Sequence, residues 1–117
     1  MAYRFVNQFN KNDQYLKISC LVNSADPRQL VLRLKGSIEM YNAESFGLAV
    51  VKTLEELTEL NQLFIDLGSV DFISSSGIGG LIQIMVKAKI KNVKIFFLDK
   101  QKKFKQVLDL LGTAEQG

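Results

Sequence analysis

Hydrophobic and polar residues alternate in two stretches of the first third of the chain. The first stretch covers residues 16–22, with Cys20 at an apolar position, and the second covers residues 30–34, where Gly36 is predicted to end the strand. Such alternation is typical of a strand with one buried face, and the turn-forming residues 23–27 between the stretches predict an antiparallel hairpin. Residues 3–9 nearly alternate as well, so we predict an additional edge strand there.

Apolar residues farther along the chain recur at helical spacing in three places. Asn42 is predicted to cap the first helix, and Gly112 is predicted to end the last one. The three apolar stripes are Phe46, Val50, Leu54 and Leu57; Ile78, Leu81, Ile82 and Met85; and Phe104, Val107, Leu108 and Leu111. Two short apolar runs, at residues 63–67 and 93–98, are typical of central strands that are covered on both faces.

The predicted order of elements is ββαβαβα, with the additional strand in front. Strand–helix–strand units imply right-handed parallel crossovers. We therefore predict an α/β fold, a mixed β-sheet with parallel central strands and helices packed on it. In such folds, binding sites tend to form where loops and helix starts meet the carboxyl ends of the strands.

Length and composition narrow the function classes. A chain of 117 residues fits one domain, 1–117, and 47% hydrophobic residues can supply one core. The sequence has no histidine, the commonest general base and metal ligand, and its single cysteine excludes a disulfide framework. We therefore expect neither an enzyme nor a metal or cofactor. No stretch is typical of a signal peptide or a membrane span, so we predict a cytoplasmic protein that does not bind membranes.

Charge is distributed unevenly along the chain. Residues 39–71 hold seven acidic residues and only Lys52, whereas residues 87–105 hold eight lysines and only Asp99. A basic region can bind nucleic acid. Here the lysines are spread over several elements, without arginine or the interleaved aromatic residues that stack on bases. The pattern favours a solvated surface, and we expect no nucleic-acid partner.

The most informative segment runs from Asp66 to Gly80. A strand is predicted to end near Asp66, a short loop to turn at Asp71, and a helix to begin at the serines 74–76. One serine at a helix start normally caps free backbone amides, but three exceed what a cap requires. The glycines at 77, 79 and 80 either allow the helix to pack closely on the sheet or allow a partner to approach the backbone.

The segment lacks the residues that known catalytic and nucleotide-binding motifs require. The glycines lack the lysine of a Walker loop and the spacing of a dinucleotide fingerprint. No histidine can activate a serine, and no lysine follows three residues after any of Ser74, Ser75 or Ser76. Asp66 and Asp71 are better explained by a strand end and a turn than by an acid–base pair.

The segment resembles the STAS domain, the fold of bacterial anti-sigma-factor antagonists and of the cytoplasmic tail of sulfate transporters. Members carry a strand with an aspartate, a loop, and then Asp-Ser-Ser-Gly-Leu-Gly or Asp-Ser-Ala-Gly-Leu-Gly. The matching residues here are the strand 63–67 and Ser74-Ser75-Ser76-Gly77-Ile78-Gly79. The family's Gly-x-Leu/Ile-Asp turn resembles Gly36-Ser37-Ile38-Glu39, which Met40 and Tyr41 follow. The similarity covers about residues 15–112 and leaves residues 1–12 as an extension.

The resemblance implies an anti-sigma factor antagonist. Such a protein would sequester an anti-sigma factor that is also a serine kinase, and that kinase would release itself by phosphorylating Ser75. A serine phosphatase would act on the phosphorylated form. The implied partner-binding residues are Glu39, Met40, Tyr41, Ser74, Ser76, Gly77, Ile78 and Gly79.

Two positions depart from the family pattern, and two alternative functions stay open. Ser74 and Glu39 each stand where relatives carry aspartate, and the change at Ser74 removes a charge that kinase recognition could use. The alternatives are a scaffold subunit of a signalling assembly that is not phosphorylated, and a domain that senses a small ligand through the same loop. Residues 1–12 could also pair with a neighbouring chain in a homodimer.

Overall fold

The computed structural model describes residues 3–112, which form four helices and four strands in the order αββαβαβα. The helices are α1 (Arg4–Asn12), α2 (Ala43–Glu56), α3 (Ser75–Ile90) and α4 (Lys105–Leu110), and the strands are β1 (Leu16–Val22), β2 (Gln29–Ile38), β3 (Gln62–Ile73) and β4 (Lys94–Leu98). From β1 onward, this order matches the ββαβαβα prediction.

The four strands form one sheet in the order β1-β2-β3-β4. β1 and β2 are antiparallel, as the predicted hairpin requires, and β2, β3 and β4 are parallel. The mixed sheet with packed helices confirms the predicted fold class. Because β2 and β3 are parallel, their carboxyl ends lie side by side, and Ile38 is paired with Ile73. The segments that follow these two residues therefore start next to each other.

Burial along the strands shows which face of the sheet the helices cover. On β2, Leu30, Leu32 and Leu34 are inaccessible, whereas Arg33 and Lys35 are exposed. The inward side chains form one core with residues from all four helices, including Phe9, Phe46, Leu81 and Leu108. The core therefore lies between one face of the sheet and the helices. The prediction that residues 63–67 and 93–98 form central strands covered on both faces is wrong, because Phe64 and Phe96 on the other face are only half-buried and β4 lies at an edge of the sheet.

The strand predicted over residues 3–9 is wrong, because Arg4–Asn12 form α1. Val6 and Phe9, one helical turn apart, are buried, and the Phe9 ring packs edge-on against Phe46 of α2 with 6.4 Å between centroids. The near-alternation in this segment fitted a strand almost as well as a helix. The contact with α2 favours the helix, and α1 therefore packs against the rest of the same chain.

β2 and β3 are both longer than predicted. Gly36 does not end β2, which continues to Ile38. It adopts a φ of +118°, and a Cβ there would lie 1.9 Å from the Tyr15 carbonyl oxygen. A glycine is therefore needed for β1 to approach this distorted part of β2. Asp66 and Asp71 both lie inside β3, so the predictions that one ends the strand and the other shapes a turn are also wrong.

Candidate partner-binding site

β3 leads directly into α3 at the serines, without the loop that the sequence predicted. The Ser74 backbone N–H donates to the Ile38 carbonyl 2.9 Å away, which continues the β2–β3 pairing up to the helix start. The Ser74 hydroxyl accepts a hydrogen bond of 3.1 Å from the Gly77 N–H and so caps α3. A serine in this position satisfies one of the unpaired amides at a helix start.

Ser75 and Ser76 occupy the first turn of α3, and both are exposed to solvent. Because Ser74 supplies the cap, neither hydroxyl is required for that purpose. The first turn contains no acidic residue, so its free N–H groups and the helix dipole present a positive potential to solvent. The structure therefore separates one structural serine from two accessible ones, a distinction that three identical letters in the sequence could not make.

The three glycines after the serines have different surroundings. A Cβ on Gly77 would lie 2.9 Å from Cγ2 of both Ile38 and Ile73, and a Cβ on Gly80 would lie 2.8 Å from the Ala43 carbonyl oxygen. These two glycines let α3 pack closely on the sheet and on α2. Gly79 faces open space, because a Cβ there would have no neighbouring atom within 4 Å. Of the three, only Gly79 therefore leaves backbone open to an approaching partner.

Asn42 fixes the segment 39–41 beside the serines. It is fully buried at the position before α2, but its side chain makes no capping hydrogen bond, so the predicted cap is wrong. Instead its Oδ1 accepts from the Glu39 N–H at 2.8 Å, and its Nδ2 donates to the Ser37 carbonyl at 3.1 Å. Asn42 thus holds both ends of the turn that carries Met40 and Tyr41.

Large apolar side chains are exposed on this side of the domain. Met40 is 77% exposed, and Tyr41 and Phe72 are also exposed. The Tyr41 ring packs edge-on against Tyr15, with centroids 5.1 Å apart. Partial desolvation, followed by the charge of Glu39, raises the pKa of the Tyr41 hydroxyl above its usual value. The hydroxyl is therefore neutral at physiological pH and can donate a hydrogen bond.

A shallow groove of about 230 Å³ connects the turn after β2 with the start of α3. Met40, Ser76 and Gly79 from the predicted site line this groove together with Gly80, the third glycine of the segment. Its other lining residues, Ala43, Glu44 and Gln83, were not assigned to the site from the sequence. Phe72 was missed as well, because it was taken for part of a loop. Its position one residue before the strand's end gives no sequence signal of exposure.

The predicted site residues therefore fall into two groups. Met40, Tyr41, Ser75, Ser76 and Gly79 are exposed, whereas Gly77 is buried and Glu39, Ser74 and Ile78 are half-buried. The Asp66 carboxylate accepts hydrogen bonds away from the site, from Arg33 Nε to its Oδ2 at 3.2 Å and from the Gly68 N–H to its Oδ1 at 2.9 Å.

Within residues 3–112, no group of three or more potential ligands is placed to hold a metal ion. None of the described helices has the length and apolar character needed to cross a bilayer.

Comparison with known proteins identifies the family of this chain. The STAS domain family model matches residues 22–116, and the chain belongs to that family. The match begins at the last residue of β1, so α1 precedes it. Comparison of the sequence with curated proteins gave no match.

Three solved structures with the same fold are two of the anti-sigma factor antagonist SpoIIAA and one of an antagonist from another bacterium. Unphosphorylated SpoIIAA matches with a TM-score of 0.67 and 13% identity over 86% of each chain. An antagonist from Mycobacterium paratuberculosis matches with a TM-score of 0.66 and 18% identity, over 83% of this chain and 78% of that one. Phosphorylated SpoIIAA from Bacillus matches with a TM-score of 0.64 and 14% identity, over 85% and 91%. At these identities the likeness concerns the fold.

Proposed function

We propose that this STAS protein is a cytoplasmic anti-sigma factor antagonist switched by phosphorylation of Ser75. In its unmodified form it binds an anti-sigma factor that is also a serine kinase. Phosphorylation by that kinase ends the interaction, and a serine phosphatase restores the binding form. The bound surface consists of the turn 39–41 and the first two turns of α3.

The observation that carries this proposal is that Ser74 caps α3 while Ser75 remains exposed. Ser74 caps α3 through its hydroxyl, so the helix start does not depend on the Ser75 side chain. Ser75 is exposed in the first turn, where a kinase can reach it. The register within the three serines comes from the family motif, in which the modified serine stands two positions before the glycine.

The local electrostatics allow the switch without loss of the fold. A phosphate adds about −1.5 to −2 charges at neutral pH. At a helix N-terminus, negative charge stabilises the helix, by up to about 2 kcal/mol in favourable geometries. In a complex the same charge would be placed against the partner beside Met40 and Gly79. An unpaired charge held in an interface costs about 2–5 kcal/mol, which is roughly 30- to 4000-fold in affinity.

The replacement of the family aspartate by Ser74 is compatible with this mechanism. Serine and aspartate are similarly good caps, so the geometry of the helix start is retained. What is lost is one carboxylate beside the modified residue. We expect Ser74→Asp to keep the fold and to change the phosphorylation rate or the partner affinity.

The test combines phosphate mapping with binding. The protein is incubated with ATP and with each candidate serine kinase of anti-sigma type from the same genome, and the modified residue is located by mass spectrometry. Phosphate is expected on Ser75. Ser75→Asp should weaken binding to the same kinase by roughly 30- to 4000-fold, and Ser75→Ala should bind without being modified.

A matched control is available at the opposite end of the sheet. Ser24 is an exposed serine in the turn between β1 and β2, and Ser24→Asp adds the same charge there. This variant should bind as the wild type does. Phosphate on Ser74 or Ser76, or equal binding by Ser75→Asp and Ser24→Asp, would contradict the proposed switch.

A further inference from the structure

A cavity of about 290 Å³ lies between α1 and α2. Its apolar walls are formed by Phe5 and Phe9 of α1 and by Leu48 and Ala49 of α2, and none of the described residues of α3 lines it. Because the family match begins at residue 22, one wall of this cavity belongs to a helix that precedes the matched region. Small-molecule sites are concave, largely apolar and roughly 300–1,000 Å³ in volume, so the cavity has the size of a small one.

One end of the cavity carries a lysine without an ion-pair partner. The Lys52 Nζ lies 5.2 Å from the centre of the Phe5 ring, and within residues 3–112 it makes no hydrogen bond or ion pair. The two carboxylates that follow on α2 are already paired with other cations, each at 2.9 Å: Glu55 with Lys87 and Glu56 with Arg4. A half-buried ammonium beside an aromatic ring is therefore free to pair with an anion that enters the cavity.

The opposite end carries a carboxylate oxygen that can still accept a hydrogen bond. Asp13 Oδ2 accepts three hydrogen bonds, whereas Oδ1 of the same carboxylate accepts none from the described residues. The Tyr41 hydroxyl is near it, since the Asp13 charge contributes, after desolvation and other neighbours, to raising the pKa of that hydroxyl. Ser45 lines this end of the cavity and stands seven residues before Lys52, which is about 10 Å along the helix axis.

We propose that the cavity binds a small aromatic carboxylic acid that carries a hydroxyl group at the end opposite its carboxylate. The carboxylate pairs with Lys52, the ring lies between Phe9 and Leu48, and the hydroxyl donates to Asp13 Oδ1. Aromatic rings favour edge and stacked contacts with one another, and an ion pair adds the directional contact at the other end. A simple amine would meet Lys52 with the same charge, and a dianion would meet Asp13. The two ends therefore select a monoanion that has a hydrogen-bond donor at its far end.

The test titrates the full, isotopically labelled chain with three related probes and follows its amide chemical shifts by NMR. The first probe, para-hydroxyphenylpropionate, has both end groups. It is expected to shift amides of α1 and of the first three turns of α2, with a Kd in the millimolar range or below. Phenylpropionate lacks the hydroxyl and para-propylphenol lacks the carboxylate. Each should bind roughly 10- to 150-fold more weakly, because each loses one hydrogen bond to a charged group.

A lysine variant separates the ion pair from the apolar contacts. Lys52→Met keeps the apolar stem and should weaken para-hydroxyphenylpropionate by at least about tenfold while leaving para-propylphenol unchanged. The matched control is Lys89→Met, the same change at an exposed lysine of α3, and it should bind all three probes as the wild type does. The amide spectrum of each variant shows directly whether it is folded.

Four results would overturn the proposal. They are the absence of shifts at millimolar concentrations of every probe, equal binding of the three probes, equal behaviour of Lys52→Met and Lys89→Met, and a cavity that only a segment of another protein fills. None of these measurements involves the kinase or Ser75, so they are independent of the proposed switch.

Discussion

The Asn42 side-chain amide donates a hydrogen bond to Oδ2 of Asp13, 3.2 Å away. The same oxygen accepts from the backbone N–H groups of Tyr15 and Leu16, at 3.0 and 2.7 Å. Asp13 therefore orders the start of β1, and Asn42 connects it to the turn that presents Met40. Two residues 29 positions apart in sequence thus fix one edge of the candidate partner-binding site.

Asn42→Ala should destabilise the domain and weaken partner binding. The change leaves the half-buried Glu39 N–H and Ser37 carbonyl without the partner that Asn42 supplies, and the loss of a buried partner costs about 1–3 kcal/mol per group as an upper range. Urea unfolding measures this cost. The control is Asn23→Ala, because Asn23 accepts from the Ala25 N–H in an exposed turn, and it should stay within about 0.5 kcal/mol of wild type. Equal effects of the two variants would show that Asn42 is not a structural anchor.

Ser74 and Ser75 should respond differently to alanine. Ser74→Ala removes the cap on α3 and should lower the free energy of unfolding by about 1 kcal/mol, whereas Ser75→Ala should stay within about 0.5 kcal/mol. Thermal unfolding of the two variants side by side gives the comparison. A larger loss for Ser75→Ala would mean that Ser75, and not Ser74, is the cap, and the proposed accessibility of Ser75 would fail.

Gly77 and Gly79 form a matched pair on one helix. Gly77→Ala forces a methyl group against Ile38 and Ile73, and overpacking of this kind costs about 1–3 kcal/mol. Gly79→Ala meets no neighbouring atom and should stabilise α3 by up to about 1 kcal/mol, because alanine favours the helix. If a partner approaches the backbone at Gly79, this more stable variant should nevertheless bind the kinase more weakly. Undiminished binding would remove Gly79 from the interface.

The Cys20 thiol should react slowly in the folded protein. Burial raises its pKa to about 11, so little thiolate is present at neutral pH. Ser75→Cys places a second thiol on an exposed helix start, where the dipole favours the thiolate, and it should react with a disulfide reagent much faster than Cys20 does. Labelling both thiols in one variant, with mass spectrometry to separate them, makes the comparison internal. Equal rates would contradict the difference in exposure between the two positions.

The same pKa shift gives a pH dependence of stability. Because folding raises the thiol pKa, the folded chain keeps its proton at pH values where the unfolded chain has lost it. The free energy of unfolding should therefore fall as the pH rises from about 9 toward about 11. Cys20→Ala should reduce this decline in urea titrations over that range. An unchanged decline in the variant would assign it to other groups.

Local patterns were sufficient for much of the fold. The alternation at residues 16–22, the helical stripe through Phe46 and Val50, and the apolar run at 63–67 each matched one element, because each reflects which side chains a single element must bury. The serine motif likewise located the start of α3, since capping residues and glycines are local requirements. The near-alternation at residues 3–9 failed because Val6 and Phe9 also lie on one face of a helix. Only contact with Phe46 of α2 distinguishes the two structures.

What the sequence by itself determined was the α/β class, the hairpin, the parallel crossovers and the position of the serines, all of which follow from periodicity and turn chemistry within short segments. The tertiary structure alone decided which serine caps α3, which glycines are filled by neighbours, and that Asn42 anchors the turn beside the serines. The physical reason is that contacts between distant parts of the chain set these features. The Ser74 hydroxyl caps an amide only three residues away, but the Ser74 N–H is itself bound to the distant Ile38 carbonyl. The Gly77 environment is set by Ile38, the Asn42 bonds by Asp13 and Ser37, and the exposure of Gly79 by the absence of any described neighbour within 4 Å.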